Sequence, residues 1–286
     1  MSSGMIKGAR LTHSLRYVLV VILVSQLFLT TPFAQADQNA EAVNWVNHAL
    51  THLKSGRHDD AISDLKKAIK EDPNDLEARQ ILGDVYLSKH EIEKAKKTYL
   101  EVIRMNPKNA EAYNNLGITY LKQGQAENAV NSFLAAIERD PKFAEAYYNL
   151  GELALVSGRL NDALDFFRKV EELNANHRSV HHKLAIILAK TGAFNQSFQE
   201  FKKALASDPQ NIQLVNDLGL AYLAAHEWEK AEEQFKKVVE SVPASTIAHH
   251  GLGLALKNLR KEEEAVAEFQ KALEVVNCVL VPVVVI

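Results

Sequence analysis

Cysteine is almost missing from this 286-residue sequence, which contains only Cys278. One cysteine cannot close an internal disulfide, and it cannot supply the paired thiolates of a zinc knuckle. Hydrophobic residues make up 47% of the chain, which is enough to build a folded core. The fold is therefore expected to rest on side-chain packing alone.

The common signatures of catalysis are also missing. The sequence has no glycine-rich phosphate loop, no G-x-S-x-G nucleophile motif and no H-E-x-x-H helix. Carboxylates are numerous, but runs such as Glu232-Glu233 and Glu262-Glu263-Glu264 stand between lysines, as on the solvated outer face of a helix. We therefore predict that no residue is catalytic and that the protein is not an enzyme.

A large excess of positive charge is absent as well. The formal net charge is -3, and the first 36 residues contain Lys7, Arg10 and Arg16 but no acid, which leaves 30 basic against 36 acidic side chains in the rest. Binding to a phosphate backbone requires clustered cations. The composition therefore argues against a nucleic-acid partner.

The first 36 residues have the three-part layout of a secretory signal peptide. The three basic residues precede an apolar run of 12 residues, Val18 to Leu29, which only Ser25 and Gln26 interrupt, and the small residues of Ala34-Gln35-Ala36 follow it. A membrane span needs about 20 apolar residues, so the run is short for a transmembrane helix.

We predict a signal peptide over residues 1–36, a mature chain that begins at Asp37, and a short linker over 37–41. The alternative is an uncleaved membrane anchor. The protein is accordingly expected in the periplasm or secreted, or anchored to the inner membrane and facing the periplasm, with membrane contact only through this segment.

Prolines recur at a fixed interval in the remaining chain. They are spaced by 34 residues or by twice that number, at Pro73, Pro107, Pro141, Pro209 and Pro243. A fixed period of this length indicates tandem structural repeats. Counting from Ala42 divides the chain without insertion into seven units: 42–75, 76–109, 110–143, 144–177, 178–211, 212–245 and 246–277.

Each unit carries the same residue types in the same order. The third unit shows them as Leu116, Gly117, Tyr120, Ala129, Phe133 and Pro141. This resembles the tetratricopeptide repeat family, whose pattern joins Leu-Gly, Tyr, Ala, Phe and Pro. The departures are Ala175 for proline, Ala185 and Ser197 for glycine and alanine, and Asn277 for proline. The resemblance implies an all-α, right-handed superhelical solenoid of helix-turn-helix repeats, in a protein of the exported bacterial type.

The pattern also has a direct physical reading. Leu116 and Tyr120 place an apolar stripe on a first helix, and Ala129 and Phe133 place another on a second helix. Gly124 lies between them, where a left-handed residue can end the first helix. Each hairpin can bury its stripes only against its neighbours, so the units are expected to stack.

In this family the first helix of each hairpin faces a concave groove. The residues that this register places there as partner contacts are Gln80, Asn114, Asn115, Tyr148, Asn149, His182, Lys183, Asn216 and His250. An amide side chain offers both a donor and an acceptor, which complements a peptide backbone. We interpret the groove as polar and amide-rich and as a site for an extended peptide. The alternative is that its asparagines only stabilise repeat stacking.

Two binding modes of the family can be compared with this register. Asn115 and Asn149 resemble the asparagine ladder with which the O-linked N-acetylglucosamine transferases grip substrate peptides. The dicarboxylate clamp requires an asparagine at a position that here holds Leu50, Asp84, Ile118, Glu152, Ile186, Leu220 and Leu254. That second mode is therefore not expected.

Histidines recur in pairs one helical turn apart, as in His48 with His52 and His177 with His181. Such pairs can bind zinc or nickel. However, His181 and His249 occupy the aromatic packing position of their repeats, and no acid or cysteine is placed in the sequence to complete a site. We expect packing or groove-lining histidines, and neither a metal nor another cofactor.

The last predicted segment, 278–286, is an apolar C-terminal tail. It is rich in β-branched residues and nearly uncharged, a composition prone to aggregation when exposed. It could cover the last hairpin, insert into a partner or reflect an abnormal end of the reading frame.

The function expected from these features is a non-catalytic scaffold or adaptor of the cell envelope that binds proteins or extended peptides. The alternative is a substrate-recruiting or regulatory subunit of a separately encoded envelope enzyme, such as a glycosyltransferase, a hydrolase or a polysaccharide export machinery.

Overall fold

A computed structural model of the chain describes residues 40–174, 177 and 179–280. The predicted signal peptide, its cleavage site and residues 281–286 lie outside this part, so those predictions stay predictions. Ala175 lies outside it as well.

All regular structure in the described residues is α-helical, which confirms the predicted all-α class. The first helix, α1, covers residues 40–54. The others are α2 (His58–Glu71), α3 (Leu76–Ser88), α4 (Ile92–Met105), α5 (Ala110–Lys122), α6 (Ala126–Arg139), α7 (Ala144–Val156), α8 (Leu160–Leu173), α9 (Val180–Lys190), α10 (Phe194–Ser207), α11 (Ile212–Ala224), α12 (Trp228–Ser241), α13 (Thr246–Asn258) and α14 (Glu262–Leu280).

The helix boundaries follow the 34-residue period. Five first helices begin where the period places the start of a unit, at Leu76, Ala110, Ala144, Ile212 and Thr246. Helix α9 begins two residues after the predicted unit start at 178, and α14 continues three residues into the segment predicted as a tail.

The chain divides into two compact units after Gln125. Unit 1 contains α1 to α5, and unit 2 contains α6 to α14. Within each unit, consecutive helices pack against each other, and first helices of successive hairpins also touch, as α3 and α5 do in unit 1 and α9, α11 and α13 do in unit 2. This is the stacking expected of repeats that cannot bury their apolar faces alone.

Short polar side chains set the start of several first helices. Asp75 accepts a hydrogen bond from the Ala78 amide at 2.8 Å, Asn109 accepts one from Ala112 at 2.9 Å, and Ser245 accepts one from Ala248 at 3.3 Å. Each side chain satisfies an amide that has no partner within the helix. The loops inside the hairpins contain a left-handed residue, which is Gly124 in the third hairpin but His226 in the sixth.

One large aromatic side chain forms the centre of the packing in each of the second to sixth repeats. These side chains are fully buried at 34-residue intervals, at Tyr99, Phe133, Phe167, Phe201 and Phe235. The ring of Phe235 lies against Gly219 of its own hairpin and against Gly251 of the next. A Cβ added at Gly251 would come within 2.5 Å of this ring, which explains why the position lacks a side chain.

Candidate functional site

A cleft on the first helices of unit 2 lies between α9 and α11. It has a volume of about 330 Å³ and is lined by Ile186, Ala189, Lys190, Phe201, Asp217, Leu220, Ala221 and Ala224. Most of these side chains are apolar, and Leu220 is 42% exposed. The cleft can therefore accept an apolar side chain from outside the protein.

Asp217 on α11 supplies the acidic edge of this cleft. One of its oxygens lies 2.7 Å from His182 Nε2 on α9, and the other accepts a hydrogen bond from Gln213 Nε2 at 3.0 Å. Burial by itself raises the pKa of Asp217, but these hydrogen bonds outweigh it and hold the pKa below its usual value. The carboxylate is therefore ionised at neutral pH beside an apolar floor.

A second charged contact ties the neighbouring first helices together. Lys183 Nζ on α9 lies 3.0 Å from Glu152 Oε1 on α7, and both side chains are partly exposed. Exposed ion pairs contribute little to stability, on the order of 1 kcal/mol or less. The pair does, however, neutralise the lysine that was predicted to contact a partner.

Three of the predicted groove amides are buried, so the expectation that they face solvent is wrong. Gln80 is 8% exposed, Asn114 is 4% exposed and Asn216 is 8% exposed. Asn114 and Asn216 each donate a hydrogen bond to the next residue of the same helix, Asn115 at 3.1 Å and Asp217 at 3.4 Å. These three amides therefore offer little surface to a partner, and the predicted role of the groove stays a prediction.

Asn115 illustrates what these amides do in unit 1. It accepts a hydrogen bond from Asn114 at 3.1 Å, and its own amide donates to Asp84 on α3 at 3.0 Å. Asp84 also accepts a hydrogen bond from the Tyr99 hydroxyl at 2.6 Å. The resulting chain of bonds links α5 to α3 and α4, which favours the stacking role for Asn115.

The other predicted contact residues remain at least partly accessible. Tyr148, Asn149, His182 and Lys183 are half-buried, and His250 is exposed. The Tyr148 ring packs against Phe167, with ring centres 5.4 Å apart, and burial raises the pKa of its hydroxyl. Tyr148 is therefore held in place, with part of its surface open to solvent.

The histidines at the packing position have acidic partners, contrary to the sequence-based expectation. His181 is buried, and its Nδ1 lies 2.7 Å from Glu200 and 3.7 Å from Glu171. These three residues are arranged like metal ligands. However, the Lys203 ammonium lies 2.8 Å from each of the two carboxylates, where a bound cation would be needed. Lys203 therefore forms an ion pair with both carboxylates of the cluster.

The seventh repeat contains a related arrangement. His249 Nδ1 lies 2.6 Å from Glu268, and Lys271 lies 2.7 Å from the same carboxylate. His249 Nε2 donates a hydrogen bond to the carbonyl oxygen of Pro243 at 2.9 Å. The prediction that these histidines are packing residues thus agrees with their burial, while the carboxylates that hold them were missed because they lie on the second helix.

The two acidic runs that were predicted to lie on solvated faces differ in burial. Glu262, Glu263 and Glu264 are exposed, as expected of a solvated face. Glu232, in contrast, is only 7% exposed and accepts hydrogen bonds from Lys236 at 2.6 Å and from Lys261 at 2.9 Å. These hydrogen bonds outweigh the effect of burial, which alone would raise the Glu232 pKa, and the net pKa is lowered.

The sequence reasoning overlooked the apolar side chains of the cleft. Ile186 and Leu220 were considered only as positions that lack the asparagine of a clamp. Their aliphatic character was nevertheless visible in the sequence, because the same position of three successive repeats holds Ile186, Leu220 and Leu254. A row of aliphatic side chains at a position that faces solvent was the available signal.

In the part of the chain that the structure describes, no helix is long and apolar enough to cross a membrane.

The chain is built from tandem helical hairpins of 34 residues each, which stack through a buried aromatic side chain and a glycine. These features define a class of repeat protein. The family model of the Cilia and flagella-associated protein 70 C-terminal domain matches residues 21–250, and a tetratricopeptide repeat model matches residues 247–275. The chain belongs to the tetratricopeptide repeat family.

Relatives among characterised proteins match short stretches. Superkiller complex protein 3 of Mus musculus is 34% identical over 73 residues, which is 26% of this chain and 5% of that protein. The human protein of the same name is 34% identical over 71 residues, which is 25% of this chain and 4% of that protein. The chain thus matches about a twentieth of the length of these relatives.

Several solved structures share the fold. The Pseudomonas aeruginosa pilF structure has a TM-score of 0.66 at 22% identity and covers 74% of this chain and 96% of its own. A tetratricopeptide repeat protein from Parabacteroides merdae has a TM-score of 0.58 at 19% identity, with coverages of 82% and 93%. YrrB, described as a TPR protein with an unusual peptide-binding site, has a TM-score of 0.56 at 23% identity, with coverages of 65% and 96%.

Proposed function

We propose that the protein is a non-catalytic scaffold that binds an extended peptide segment of a partner protein across the first helices of unit 2. The observation that carries this proposal is the cleft between α9 and α11, in which an apolar floor at Ile186 and Leu220 is bordered by Asp217 and Lys190. An aliphatic side chain of the partner fills the cleft. The charged edge orients the polar backbone on either side of it.

The half-buried and exposed residues on the neighbouring first helices extend this site. Tyr148 and Asn149 belong to α7, the first helix that precedes α9 in the array, and His250 belongs to α13, the first helix that follows α11. Aromatic and amide side chains suit this role because they contact a peptide over a large area and offer hydrogen bonds. The peptide-binding site named for YrrB is consistent with the proposal, since that protein has the same fold.

We further propose that the scaffold is exported and works in the cell envelope. This proposal is supported by the order of segments within residues 1–36, where basic residues come first, an apolar run follows and small residues come last. Mass measurement of the protein purified from its native cells tests it. A chain that begins at Asp37 is the expected result, and an intact chain that starts at Met1 or Met5 and stays with the soluble cytoplasmic fraction contradicts it.

The binding site is tested with a library of random linear peptides selected on the full chain. Leu220→Glu places a carboxylate on the cleft floor and removes the aliphatic contact, so the selected peptides should bind about a hundredfold more weakly. Leu134→Glu is the matched control, because Leu134 is 48% exposed on α6 and lies outside the cleft.

Helical content and melting temperature are compared for both variants before affinity is measured. Weakened binding in Leu220→Glu alone supports the site. Equal affinity in the wild-type chain and in a folded Leu220→Glu variant shows that the cleft is not where peptides bind.

A further inference from the structure

The two helices that form the cleft border it with opposite charges. Helix α9 contributes Lys190, its last residue, and α11 contributes Asp217. Asp217 contacts His182 of α9, so these two residues lie at the same level of the paired helices. Lys190 follows His182 by eight residues, which is about 12 Å along the helix axis. The two charges therefore lie at diagonally opposite corners of the cleft, with its apolar floor between them.

Lys190 has no acidic partner within the described part of the chain. It is exposed, and it forms neither an ion pair nor a side-chain hydrogen bond with any described residue. The same position of the neighbouring first helices holds Val156 on α7 and Ala224 on α11, neither of which can pair with it. The other lysine of α9, Lys183, is paired with Glu152. Lys190 is therefore the cation of this cleft that an incoming anion can reach.

Asp217 has the opposite effect on an incoming anion. Its carboxylate is half-buried and accepts hydrogen bonds from Gln213 at 3.0 Å and from Asn216 at 3.4 Å, besides its contact with His182. These donors are already engaged, so a second carboxylate placed there would meet a like charge without a hydrogen bond to offset the repulsion. An acidic side chain of a partner is therefore attracted to the Lys190 corner and repelled at the Asp217 corner.

The distance between the two corners fits a short extended segment. Packed helices lie about 8–10 Å apart, which together with the offset along the axis separates the two corners by about 15 Å. An extended chain rises about 3.3 Å per residue, so residues i−2, i and i+2 point to the same side and span about 13 Å. An aliphatic residue on the floor thus brings the residue two positions away beside Lys190 in one direction and beside Asp217 in the other. The long lysine side chain covers the remaining distance.

We propose that the cleft selects extended segments in which an aliphatic residue is accompanied, two positions away on one side only, by an aspartate or glutamate. The aliphatic side chain lies on the floor and the acid pairs with Lys190. Asp217 rejects segments that carry an acid on both sides, which fixes the direction in which a segment lies across the two helices. This selectivity rests on the peptide binding proposed above and specifies the partner of the same site.

The test selects the library of random linear peptides in parallel on the full wild-type chain and on Lys190→Glu. Peptides selected on the wild-type chain should share an aliphatic residue with an acid two positions away, and those selected on Lys190→Glu should carry lysine or arginine at that position instead. A peptide selected on the wild-type chain should bind Lys190→Glu about tenfold more weakly, because an ion pair is replaced by a repulsion. Lys122→Glu is the matched control, since Lys122 is the exposed last residue of α5 and does not line the cleft.

Exchanging the two charges identifies the contact. A peptide whose acid is replaced by lysine should bind the wild-type chain weakly and Lys190→Glu about as tightly as the original peptide binds the wild-type chain. Replacing the acid of the peptide by its neutral amide tests the same contact on the unaltered protein, and affinity should fall severalfold and lose part of its salt dependence.

The outcomes separate this selectivity from peptide binding as such. Peptides that need Leu220 but show no preference for an acid, and bind Lys190→Glu as well as the wild-type chain, overturn the selectivity and leave the binding site in place. So does an acid whose effect persists unchanged in Lys190→Glu. Peptides that bind a folded Leu220→Glu variant normally overturn both the site and its selectivity.

Discussion

Gly251→Ala should destabilise the junction between the sixth and seventh hairpins, although alanine is the better helix former. The added Cβ would lie 2.5, 2.7 and 2.8 Å from three atoms of the Phe235 ring, well inside van der Waals contact. The ring also packs closely on Gly219 of its own hairpin, where an added Cβ would lie 3.0 Å from it, so it is held between two helices. Phe235 has no exposed surface into which it could rotate.

The expected magnitude follows from two opposing effects. Overpacking a closely packed core costs about 1–3 kcal/mol. Replacing glycine by alanine inside a helix returns up to about 1 kcal/mol through helix propensity. The net loss in the free energy of unfolding is therefore about 1–2 kcal/mol.

The measurement is urea unfolding combined with hydrogen exchange of the α12 and α13 amides, because a repeat array can open at one interface while the rest stays folded. Phe235→Leu provides the rescue, since a smaller side chain makes room for the new methyl group. The two changes together should cost less than the sum of the single changes by at least about 1 kcal/mol.

Gly158→Ala is the matched control. Its Cβ would meet nothing within 4 Å, and only its positive φ of 72° opposes the change, so Phe235→Leu should not rescue it. Our reasoning about the glycine and the ring is refuted if Gly251→Ala is as stable as the wild-type chain, or if its cost simply adds to that of Phe235→Leu.

Three further predictions concern other parts of the chain. His226 has a φ of 59° at the position where other repeats have glycine, so His226→Gly should raise the free energy of unfolding by up to about 1 kcal/mol in chemical denaturation, whereas Gly124→Ala should lower it. The lowered pKa of Asp217 means that its contribution to stability is present above the ordinary aspartate pKa of about 3.9 and is lost as pH falls below it. Asp217→Asn should therefore flatten the loss of stability in this acidic range, and unchanged unfolding curves at each pH would contradict the role of its hydrogen bonds. Ala175 stands where other repeats have proline. We predict that hydrogen exchange is fastest near the junction of the fourth and fifth repeats. Uniform protection along the repeats would show that the missing proline does not weaken this junction.

The sequence by itself determined the repeat architecture. A period of 34 residues, with leucine, glycine, tyrosine, alanine and phenylalanine at fixed positions, left little freedom in where the helices begin and end. The boundaries could be read because each hairpin repeats the same local signals. Departures from the pattern, such as Ala185 and Ser197, were accommodated by a buried hydrogen bond from the Ser197 hydroxyl to the Ala185 carbonyl.

Only the tertiary structure decided which side chains of the first helices are accessible. Asn114 and Leu220 lie on neighbouring faces of their helices, yet the amide is buried and the leucine is exposed, because the closeness of the next first helix sets how much of each face is covered. Likewise, Glu200 and Glu268 could not be assigned to His181 and His249 from spacing alone, since each pair joins two helices. Helix periodicity fixes the direction of a side chain within its own helix, but contact with a neighbouring helix depends on packing distances that no single repeat encodes.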